Sequence, residues 1–322
     1  MCKIQKEHVK TSRGYDPQPT RQAYGDVLLE MGAERDDFFV IDCDIAKSMK
    51  TMAFAEKYPQ RHINVGIAEQ NAAGVGAGLA TLGYKAIVST YAVFGSMRML
   101  EQIRTSACYP NLNVKVCCSH GGLTPASDGV THQAIEDMGI YRTVPNMAVM
   151  MPADYNATKA MMRALMDYDG PCYIRFTRDS MPNFYEENEE FVIGKGKVLR
   201  EGRDITIIAN GDLLHEAIKA TEELIENGVD VELIDMHTIK PLDEELVLKT
   251  LAKTGKIITV EDHNILNGLG SAVADILATQ GNGIMRKVGL KDCFAESGPY
   301  HDLLHKYEMD ACYIIKMARE LL

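Results

Sequence analysis

The sequence predicts an α/β fold with two doubly wound domains. Short apolar runs alternate with helical segments along most of the chain, a pattern typical of parallel sheets covered by helices. The alternation stops near residues 183–190, where acidic residues accumulate before a Gly-rich stretch. A length of 322 residues also allows two substantial cores. We therefore predict two domains, 1–186 and 187–322.

The individual elements follow from the positions of the apolar runs. In the first domain, strands are predicted at 38–42, 86–90, 114–118, 148–151 and 172–176. Helices are predicted between them at 96–107 and 155–167, and the latter carries its small and apolar side chains on one face. In the second domain, strands are predicted at 205–209, 231–234 and 257–260, with a final helix at 311–322. Strands and helices that alternate in this way indicate parallel sheets.

The composition argues against several functional classes. A net charge of −11, without any run of lysine or arginine, disfavours a nucleic-acid-binding surface. The first residues, Met1 to His8, lack the apolar core of a signal peptide, and no apolar run reaches the roughly 20 residues that span a bilayer. The eight cysteines include no Cys-x-x-Cys pair, so we interpret them as reduced. We expect a cytoplasmic protein that binds neither nucleic acid nor membrane.

Glu69 is the most informative single residue. It stands between strand-like residues 63–67 and a predicted helix, 72–80, made almost entirely of alanine and glycine. Because that helix has little side-chain bulk, a flat cofactor or another backbone can approach it closely. Burial favours the protonated acid and a helix start favours the anion, so this carboxyl group could share a proton with a ligand nitrogen. The alternative is a helix-terminus charge or cap.

A glycine-rich loop after the predicted strand 114–118 carries His120, Asp128 and His132. Loops beyond the carboxyl ends of strands are where open α/β sheets bind ligands. The two histidines could transfer protons or hydrogen-bond hydroxyl groups. Asp128 precedes a glycine and could instead serve only the turn. The spacing matches no familiar metal-ligand pattern.

Two further groups of side chains suit a cofactor ring and a phosphate. Aromatic and thioether groups about one helical turn apart can stack on a flat heterocycle, with core packing as the alternative. These are Tyr91, Phe94 and Met97. Arginine side chains and a hydroxyl group beside predicted sheet edges can bind phosphate. The alternative is surface ion pairing for the arginines and helix capping for the hydroxyl group. The three residues are Arg21, Ser48 and Arg178.

The last third of the chain offers no comparable site. Residues 260–264 and 295–298 contain acidic side chains, and we interpret both segments as loops. The glycines at 268 and 270 lack the third glycine of a dinucleotide-binding turn, and no Gly-Lys-Ser/Thr loop is present. We therefore predict a structural role for the second domain.

Four segments, in this order, resemble the pyrimidine-binding domain of transketolase. They are 66–71 (Gly-Ile-Ala-Glu-Gln-Asn), 90–94 (Thr-Tyr-Ala-Val-Phe), 128–133 (Asp-Gly-Val-Thr-His-Gln) and 177–182 (Thr-Arg-Asp-Ser-Met-Pro). The remaining third resembles the C-terminal domain of the same family. The resemblance covers nearly the whole chain. It implies a thiamine-diphosphate-binding domain of the pyrimidine type, followed by a transketolase C-terminal-like domain.

The resemblance assigns cofactor roles to particular residues. Glu69 matches the carboxyl group that hydrogen-bonds the aminopyrimidine nitrogen of thiamine diphosphate, a contact that favours the imino tautomer needed to generate the ylid. Phe94 would stack on the pyrimidine, and Tyr91 and Met97 would complete its pocket. The family often has tyrosine where this chain has Met97. Asp44 corresponds to an acidic residue near the cofactor in the subunit interface.

The resemblance also implies substrate contacts. Asp128 matches a residue that reads a sugar hydroxyl, and His132 matches one that contacts the ketol end of the donor. Glu69 and His132 are thus the candidate catalytic residues. The positions that match the holders of the sugar phosphate are His120, Arg21, Ser48 and Arg178.

One part of the family pattern is missing. Transketolases carry a Gly-Asp-Gly motif and a downstream Asn that bind magnesium and the diphosphate, and the nearest string here, residues 211–213, is incomplete. The resemblance thus implies the C-terminal subunit of a split transketolase, a transferase of the pentose phosphate pathway that moves a two-carbon ketol unit between sugar phosphates. A separate N-terminal subunit would hold the diphosphate and Mg²⁺ (or Ca²⁺), in an α2β2 heterotetramer that contains a dimer of this chain.

Three alternatives remain open at this point. The segment 66–70 also resembles deoxyxylulose-phosphate synthase and the β subunits of 2-oxoacid dehydrogenases. A specialised split enzyme could act on an unusual ketose phosphate. A non-catalytic assembly subunit could have kept the fold without the chemistry.

Overall fold

A computed structural model describes residues 17–322. Two largely parallel β-sheets with helices packed against them confirm the predicted fold class. The segment Met1 to His8, for which no signal peptide is predicted, lies outside the described residues. No helix within residues 17–322 has the length and apolar character needed to span a bilayer.

The first sheet is formed mainly by the first half of the chain. Its strands in chain order are β1 (Phe38–Asp42), β2 (His62–Asn64), β3 (Lys85–Tyr91), β4 (Val114–Ser119), β5 (Ala148–Met150) and β6 (Cys172–Arg175). They are parallel and lie side by side in the order β5-β6-β4-β3-β1-β2. Because parallel strands all end at one edge of the sheet, the segments that follow them converge there.

The second sheet belongs to the last third of the chain. The remaining strands are β7 (Lys197–Arg200), β8 (Ile205–Ala209), β9 (Val231–Asp235), β10 (Thr238–Lys240), β11 (Lys256–Asn264) and β12 (Ile284–Leu290). Five of them form a sheet in the order β12-β11-β8-β9-β7, with β7 antiparallel at one edge. The sixth, β10, instead pairs antiparallel with β5 and extends the first sheet. A strand from the second predicted domain is therefore part of the sheet of the first.

Helices cover the sheets and complete the core. They are α1 (Thr20–Glu34), α2 (Ala46–Met49), α3 (Met52–Lys57), α4 (Glu69–Thr81), α5 (Ala92–Met97), α6 (Leu100–Gln102), α7 (Asp137–Arg142), α8 (Tyr155–Asp167), α9 (Leu214–Glu226), α10 (Glu244–Thr254), α11 (Leu269–Gln280), α12 (Tyr300–Lys306) and α13 (Ala311–Leu321). Two clusters of buried apolar side chains run through the molecule, and each draws residues from both halves. The division at 186/187 stays a prediction, because core and strand pairing continue across it.

Two segments have a different secondary structure from the predicted one. Residues 63–67 do not form one strand, because Gly66 has a φ of 76° and turns the chain after β2, leaving Ile67 75% exposed. Residues 260–264, predicted as a loop, belong to β11, because after a register shift that follows Val260 the strand pairs with β12 again at Asn264. Residues 295–298 lie in a loop, as predicted.

The predicted helix 96–107 is also wrong as a single element. The chain there forms the short helices α5 and α6, followed by a π-helical segment, Ile103–Cys108. The carbonyl oxygen of Gly95, which an unbroken helix would offer to the N–H of Met99, accepts a hydrogen bond from the Tyr141 hydroxyl at 2.5 Å. A tertiary contact therefore competes with the helix at the point where it breaks.

Candidate active site

Residues at four predicted positions lie at the carboxyl edge of the first sheet. Asp44 follows β1, Tyr91 ends β3, His120 follows β4 and Arg178 follows β6. The rings of Tyr91 and His120 lie 3.9 Å apart between centroids. The parallel strand order brings these loops together, although they are far apart in sequence.

Glu69 is the first residue of α4 and is only 5% exposed. Its Oε1 accepts a hydrogen bond from Nη1 of Arg98 at 2.9 Å. The helix dipole favours a carboxylate at this position, which offsets part of the cost of its burial. Arg98 is half exposed, so its guanidinium group can move into water when a ligand takes over the hydrogen bond to Glu69. Glu69 is therefore a buried carboxylate with a displaceable partner.

Arg98 is a site residue that the sequence analysis missed. Its guanidinium carbon lies 4.0 Å from the centre of the Phe94 ring, while the same group donates to Glu69. One planar cation thus covers both an aromatic face and a carboxylate. The only sequence signal was the spacing of Phe94 and Arg98, which are one helical turn apart; the contact with Glu69 has no local signature.

The aromatic side chains form a group around this pair. Ring centroids lie 5.8 Å apart for Tyr91 and Phe94, and 5.7 Å apart for Phe94 and His132. Tyr91 is also 5.8 Å from His132. Met97 is half exposed, so its side chain is not a core residue in this chain. The structure therefore brings together both predicted aromatic residues and His132, and it leaves Met97 open to contact with another molecule.

Arg21, Ser48 and Tyr91 form a hydrogen-bonded group beside these rings. Nη1 of Arg21 donates to Oγ of Ser48 at 3.2 Å, and the Tyr91 hydroxyl donates to the same oxygen at 2.8 Å. Nε of Arg21 is buried and makes no hydrogen bond within the described part of the chain. A buried donor without an acceptor is costly, so this nitrogen suits an anionic ligand.

A cleft of about 520 Å³ opens next to this group. Arg21, Asp44 and Ser48 are among its lining residues. The backbone N–H of Asp44 donates to Oδ1 of Asn64 at 3.1 Å, and the same oxygen accepts from the N–H of Gly66 at 2.9 Å. Asn64 therefore connects the Asp44 loop to the turn that leads into Glu69's helix.

The surroundings of His120 are electropositive. Burial, followed by the nearby Arg178 guanidinium, lowers the pKa of Arg21. Burial, reinforced by Arg21, Arg178 and His132, lowers the pKa of His120 to about 3. His120 therefore stays neutral at physiological pH and can donate or accept a hydrogen bond without adding charge. Two arginines beside a neutral imidazole are suited to an anion.

Asp128 has both a turn role and an ion-pair role. It ends a short 3-10 turn, Ala126–Asp128, and precedes Gly129, whose φ is 73°. Its Oδ1 also lies 3.4 Å from Nη2 of Arg178. The turn interpretation alone is therefore incomplete, because the carboxylate faces a predicted phosphate-binding arginine.

The loop that carries His120 packs tightly against two charged side chains, Arg175 of the first sheet and Asp262 in the second half of the chain. A Cβ on Gly121 would lie 2.2 Å from Cδ of Arg175, and one on Gly122 would lie 2.1 Å from Oδ2 of Asp262. Only glycine allows so close an approach at these two positions. The second half therefore helps to position the loop, which the sequence analysis did not predict.

Two family models match this chain. The description "Transketolase, pyrimidine binding domain" covers residues 16–183, and "Transketolase, C-terminal domain" covers residues 194–314. The chain belongs to the transketolase family, which confirms the resemblance seen in its four ordered motifs. Membership of this family implies dependence on thiamine diphosphate.

Within the family, the chain is similar to separately encoded C-terminal parts. A transketolase C-terminal section from Methanocaldococcus jannaschii is 43% identical over 93% of this chain and 95% of its own length. A 6-deoxy-6-sulfo-D-fructose transketolase subunit from Clostridium sp. is 38% identical over 94% of each chain. The solved structure of a split-gene transketolase, an inactive β4 tetramer, is 41% identical with a TM-score of 0.89, and the match covers 95% of this chain and 98% of that one.

Proposed function

We propose that this chain is the C-terminal, pyrimidine-binding subunit of a two-chain transketolase that moves a two-carbon ketol unit between sugar phosphates. The observation that carries the proposal is the pairing of Glu69 with Phe94 beneath one displaceable guanidinium group. A buried carboxylate beside an aromatic face is what an aminopyrimidine ring requires, since the ring has a polar edge and a flat apolar face.

The described residues fit thiamine diphosphate. Glu69 would hydrogen-bond the pyrimidine ring, Phe94 would stack on it, and Tyr91 and Met97 would border it. When bound, the cofactor supplies a nucleophilic ring carbon and an electron sink for carbon–carbon bond cleavage. Arg98 would have to leave Glu69 and Phe94 before the ring could occupy the same contacts. Its half-exposed side chain has room to do so.

The substrate's phosphate would bind to the electropositive group. Arg21 has a buried Nε without an acceptor, and Arg178 lies close enough to lower the pKa of Arg21. A phosphate would relieve the repulsion between the two guanidinium groups and accept hydrogen bonds from Ser48 and neutral His120. Asp128 would read a sugar hydroxyl, and we assign the ketol end and proton transfer to His132.

The diphosphate and its Mg²⁺ (or Ca²⁺) would be held by a separate subunit. The incomplete motif at residues 211–213 does not supply this site, because Asp212 is buried and its carboxylate accepts a hydrogen bond from the Tyr300 hydroxyl. The related β4 tetramer is described as inactive, which supports a need for a second kind of subunit. We infer an α2β2 assembly in which the two chain types complete each active site.

The surface around Glu69 has the features of a subunit interface. Ile67, two residues before Glu69, and Met97, next in sequence to Arg98, are apolar and exposed. On the outer face of α4, a Cβ added to Gly74 or Gly78 would meet no atom within 4 Å, so a helix from another subunit could approach this backbone closely. Asp44, exposed beside the cleft, would face the same interface.

The experiment that tests the proposal is ketol transfer from xylulose 5-phosphate to ribose 5-phosphate, with thiamine diphosphate and Mg²⁺. The chain would be assayed alone and with a candidate diphosphate-binding subunit, and transfer is expected only in the mixture. Glu69→Gln removes the carboxylate while preserving its shape, and we expect a loss of about 10²- to 10⁴-fold in kcat. The matched control is Glu245→Gln, at an exposed position on α10. Full turnover by Glu69→Gln would contradict the catalytic assignment.

A sulfonated sugar is the second candidate substrate. One similar subunit belongs to a 6-deoxy-6-sulfo-D-fructose transketolase, and a sulfonate is also a tetrahedral oxyanion that an arginine pair can bind. Turnover of the sulfonated ketose by the mixture, without turnover of xylulose 5-phosphate, would assign this substrate. Complex formation without turnover of either sugar would point instead to a different ketose or a 2-oxoacid as substrate.

A further inference from the structure

Three side chains with metal-ligand chemistry meet in the second half of the chain. His215 and Glu216 lie in the first turn of α9, and His301 lies in the first turn of α12. One candidate ligand atom from each residue lies within 4.8 Å of the other two. The two imidazole rings are nearly perpendicular, at 89°, with centroids 6.4 Å apart. None of these residues belongs to the proposed active site.

The buried imidazole of this cluster has a ring nitrogen without a hydrogen-bond partner among the described residues. His215 is only 5% exposed, and its Nε2 makes no hydrogen bond of adequate geometry within residues 17–322, although Oε1 of Glu216 lies 3.2 Å away. A buried polar nitrogen in this position is costly unless a ligand engages it. The unpartnered nitrogen is a second observation, separate from the distances between the three ligand atoms, and it indicates that a metal ion binds to this imidazole.

We propose that His215, Glu216 and His301 bind a zinc ion. Two imidazole nitrogens and one carboxylate form a ligand set that zinc uses, with water in the fourth position. Imidazole nitrogen suits zinc, whereas Mg²⁺ and Ca²⁺ prefer sites made entirely of oxygen ligands. The site is distinct from the magnesium that we assign to the companion subunit. It therefore stands whether or not the proposed ketol transfer is correct.

The surrounding contacts prepare the cluster for a metal. Tyr300, next to His301, is buried and hydrogen-bonds Asp212, which fixes the start of α12 beside α9. Oε2 of Glu216 accepts from the backbone N–H of Ala311 at 2.9 Å, which orients its carboxylate as outer-shell hydrogen bonds do in metal sites. Oε1 accepts from Lys219, whose half-exposed ammonium group can move into water when a cation replaces it.

Zinc would join α9 to α12. Helix α12 packs against the 3-10 turn that ends in Asp128. The loop before α12 also contacts the residue next to His132, since Nε2 of Gln133 donates to the carbonyl of Glu296 at 3.1 Å. The ion would therefore stabilise the segment that supports the Asp128 loop, without touching the reacting groups.

The test is zinc binding by the purified full-length chain. Metal is removed with a chelator, and zinc is then titrated against a chromophoric competitor. Because accessible thiolates also bind zinc, every protein carries Cys2→Ser, Cys293→Ser and Cys312→Ser; the last two positions are exposed and the first lies outside the described residues. We expect one zinc per chain in the otherwise unchanged protein.

The variants separate this site from general surface binding. His301→Ala changes an exposed residue, so the protein should remain folded, and zinc affinity should fall at least about tenfold. The matched control is His305→Ala, an exposed histidine on the same helix, which should bind zinc unchanged. Cobalt(II) should give the intense visible absorption of a tetrahedral site, and His301→Ala should lose it. Equal zinc affinity in His301→Ala and the unchanged protein, or an equal loss in His305→Ala, would overturn the proposal.

Discussion

Replacing Arg175 with methionine tests how much stability depends on one buried arginine, which forms an ion pair within the first half of the chain and a hydrogen bond to the second half. Arg175 and Asp137 are both completely buried, and Nη1 lies 2.9 Å from Oδ1 of the carboxylate. Nη2 also donates to the carbonyl of Asp262, in the second half of the chain, at 2.7 Å. Methionine retains an apolar stem of similar length but removes the charge and every hydrogen bond of the guanidinium group, including a further one to the carbonyl of Ala134 at 3.3 Å.

The expected cost follows from what the substitution leaves behind. Asp137 would remain buried, with the Tyr173 hydroxyl as its remaining side-chain partner among the described contacts. Breaking a buried ion pair by removing one partner costs about 3–5 kcal/mol in the free energy of unfolding. The matched control, Arg163→Met, breaks partly exposed pairs with Glu30 and Glu34, each of which should cost less than about 1 kcal/mol.

The assay is urea unfolding of both variants at one protein concentration, because any self-association would make stability concentration-dependent. The chain has no tryptophan, so unfolding is followed by far-ultraviolet circular dichroism and tyrosine fluorescence. Coincident transitions would justify a two-state analysis. We expect Arg175→Met to lose at least about 2 kcal/mol more than Arg163→Met.

Equal losses in the two variants would refute this reasoning, because they would mean that desolvation cancels the attraction within the buried pair. The double variant Arg175→Met/Asp137→Leu provides a second check. It removes the stranded carboxylate and should regain most of the lost stability. If it is no more stable than Arg175→Met, the cost comes from the lost hydrogen bonds and packing of the arginine and not from an unpaired charge.

Two further predictions concern the site. Arg98→Met should lower the thiamine diphosphate concentration needed for half-maximal activity of the two-chain enzyme by about two- to tenfold. The reason is that the pyrimidine ring no longer has to displace a guanidinium group from Glu69 and Phe94. If the variant needs more cofactor, Arg98 helps to bind the cofactor. Burial and two nearby arginines lower the pKa of His120 to about 3 in the folded chain, whereas the ordinary value is 6.5. As the pH drops from 6.5 to 3, the unfolded chain therefore takes up a proton on this histidine that the folded chain does not, and the free energy of unfolding falls. His120→Gln should reduce this slope by up to about 1.4 kcal/mol per pH unit in urea unfolding, and an unchanged slope would contradict the burial argument.

Strands and helices that are set by the pattern of apolar residues along the chain could be predicted from the sequence. The bounds of β1, β8 and α8 coincide with the predicted segments, since each is a continuous apolar run or a clear helical stripe. The position of Glu69 at the start of a Gly/Ala-rich helix could be predicted in the same way, because the change in composition marks where the helix begins. The order of the four motifs was enough to predict the family.

Contacts between distant segments were not predictable in this way. The Arg98 side chain reaches Glu69 across 29 residues, and β10 joins the first sheet although it follows a strand of the second. The zinc cluster was missed because His215 and His301 lie in separate helices, with no motif that relates them.

The sequence by itself determined the fold class, the family and the identity of most candidate site residues, because periodicity and motif order are properties of the chain read in one dimension. Only the tertiary structure decided which of those side chains meet, because that depends on strand order and on contacts that compete with local structure. The Tyr141 hydroxyl bound at Gly95, where the predicted helix breaks, is one such contact. Arg98 above Phe94 and Glu69 is another, and it defines the group that a cofactor ring would have to displace.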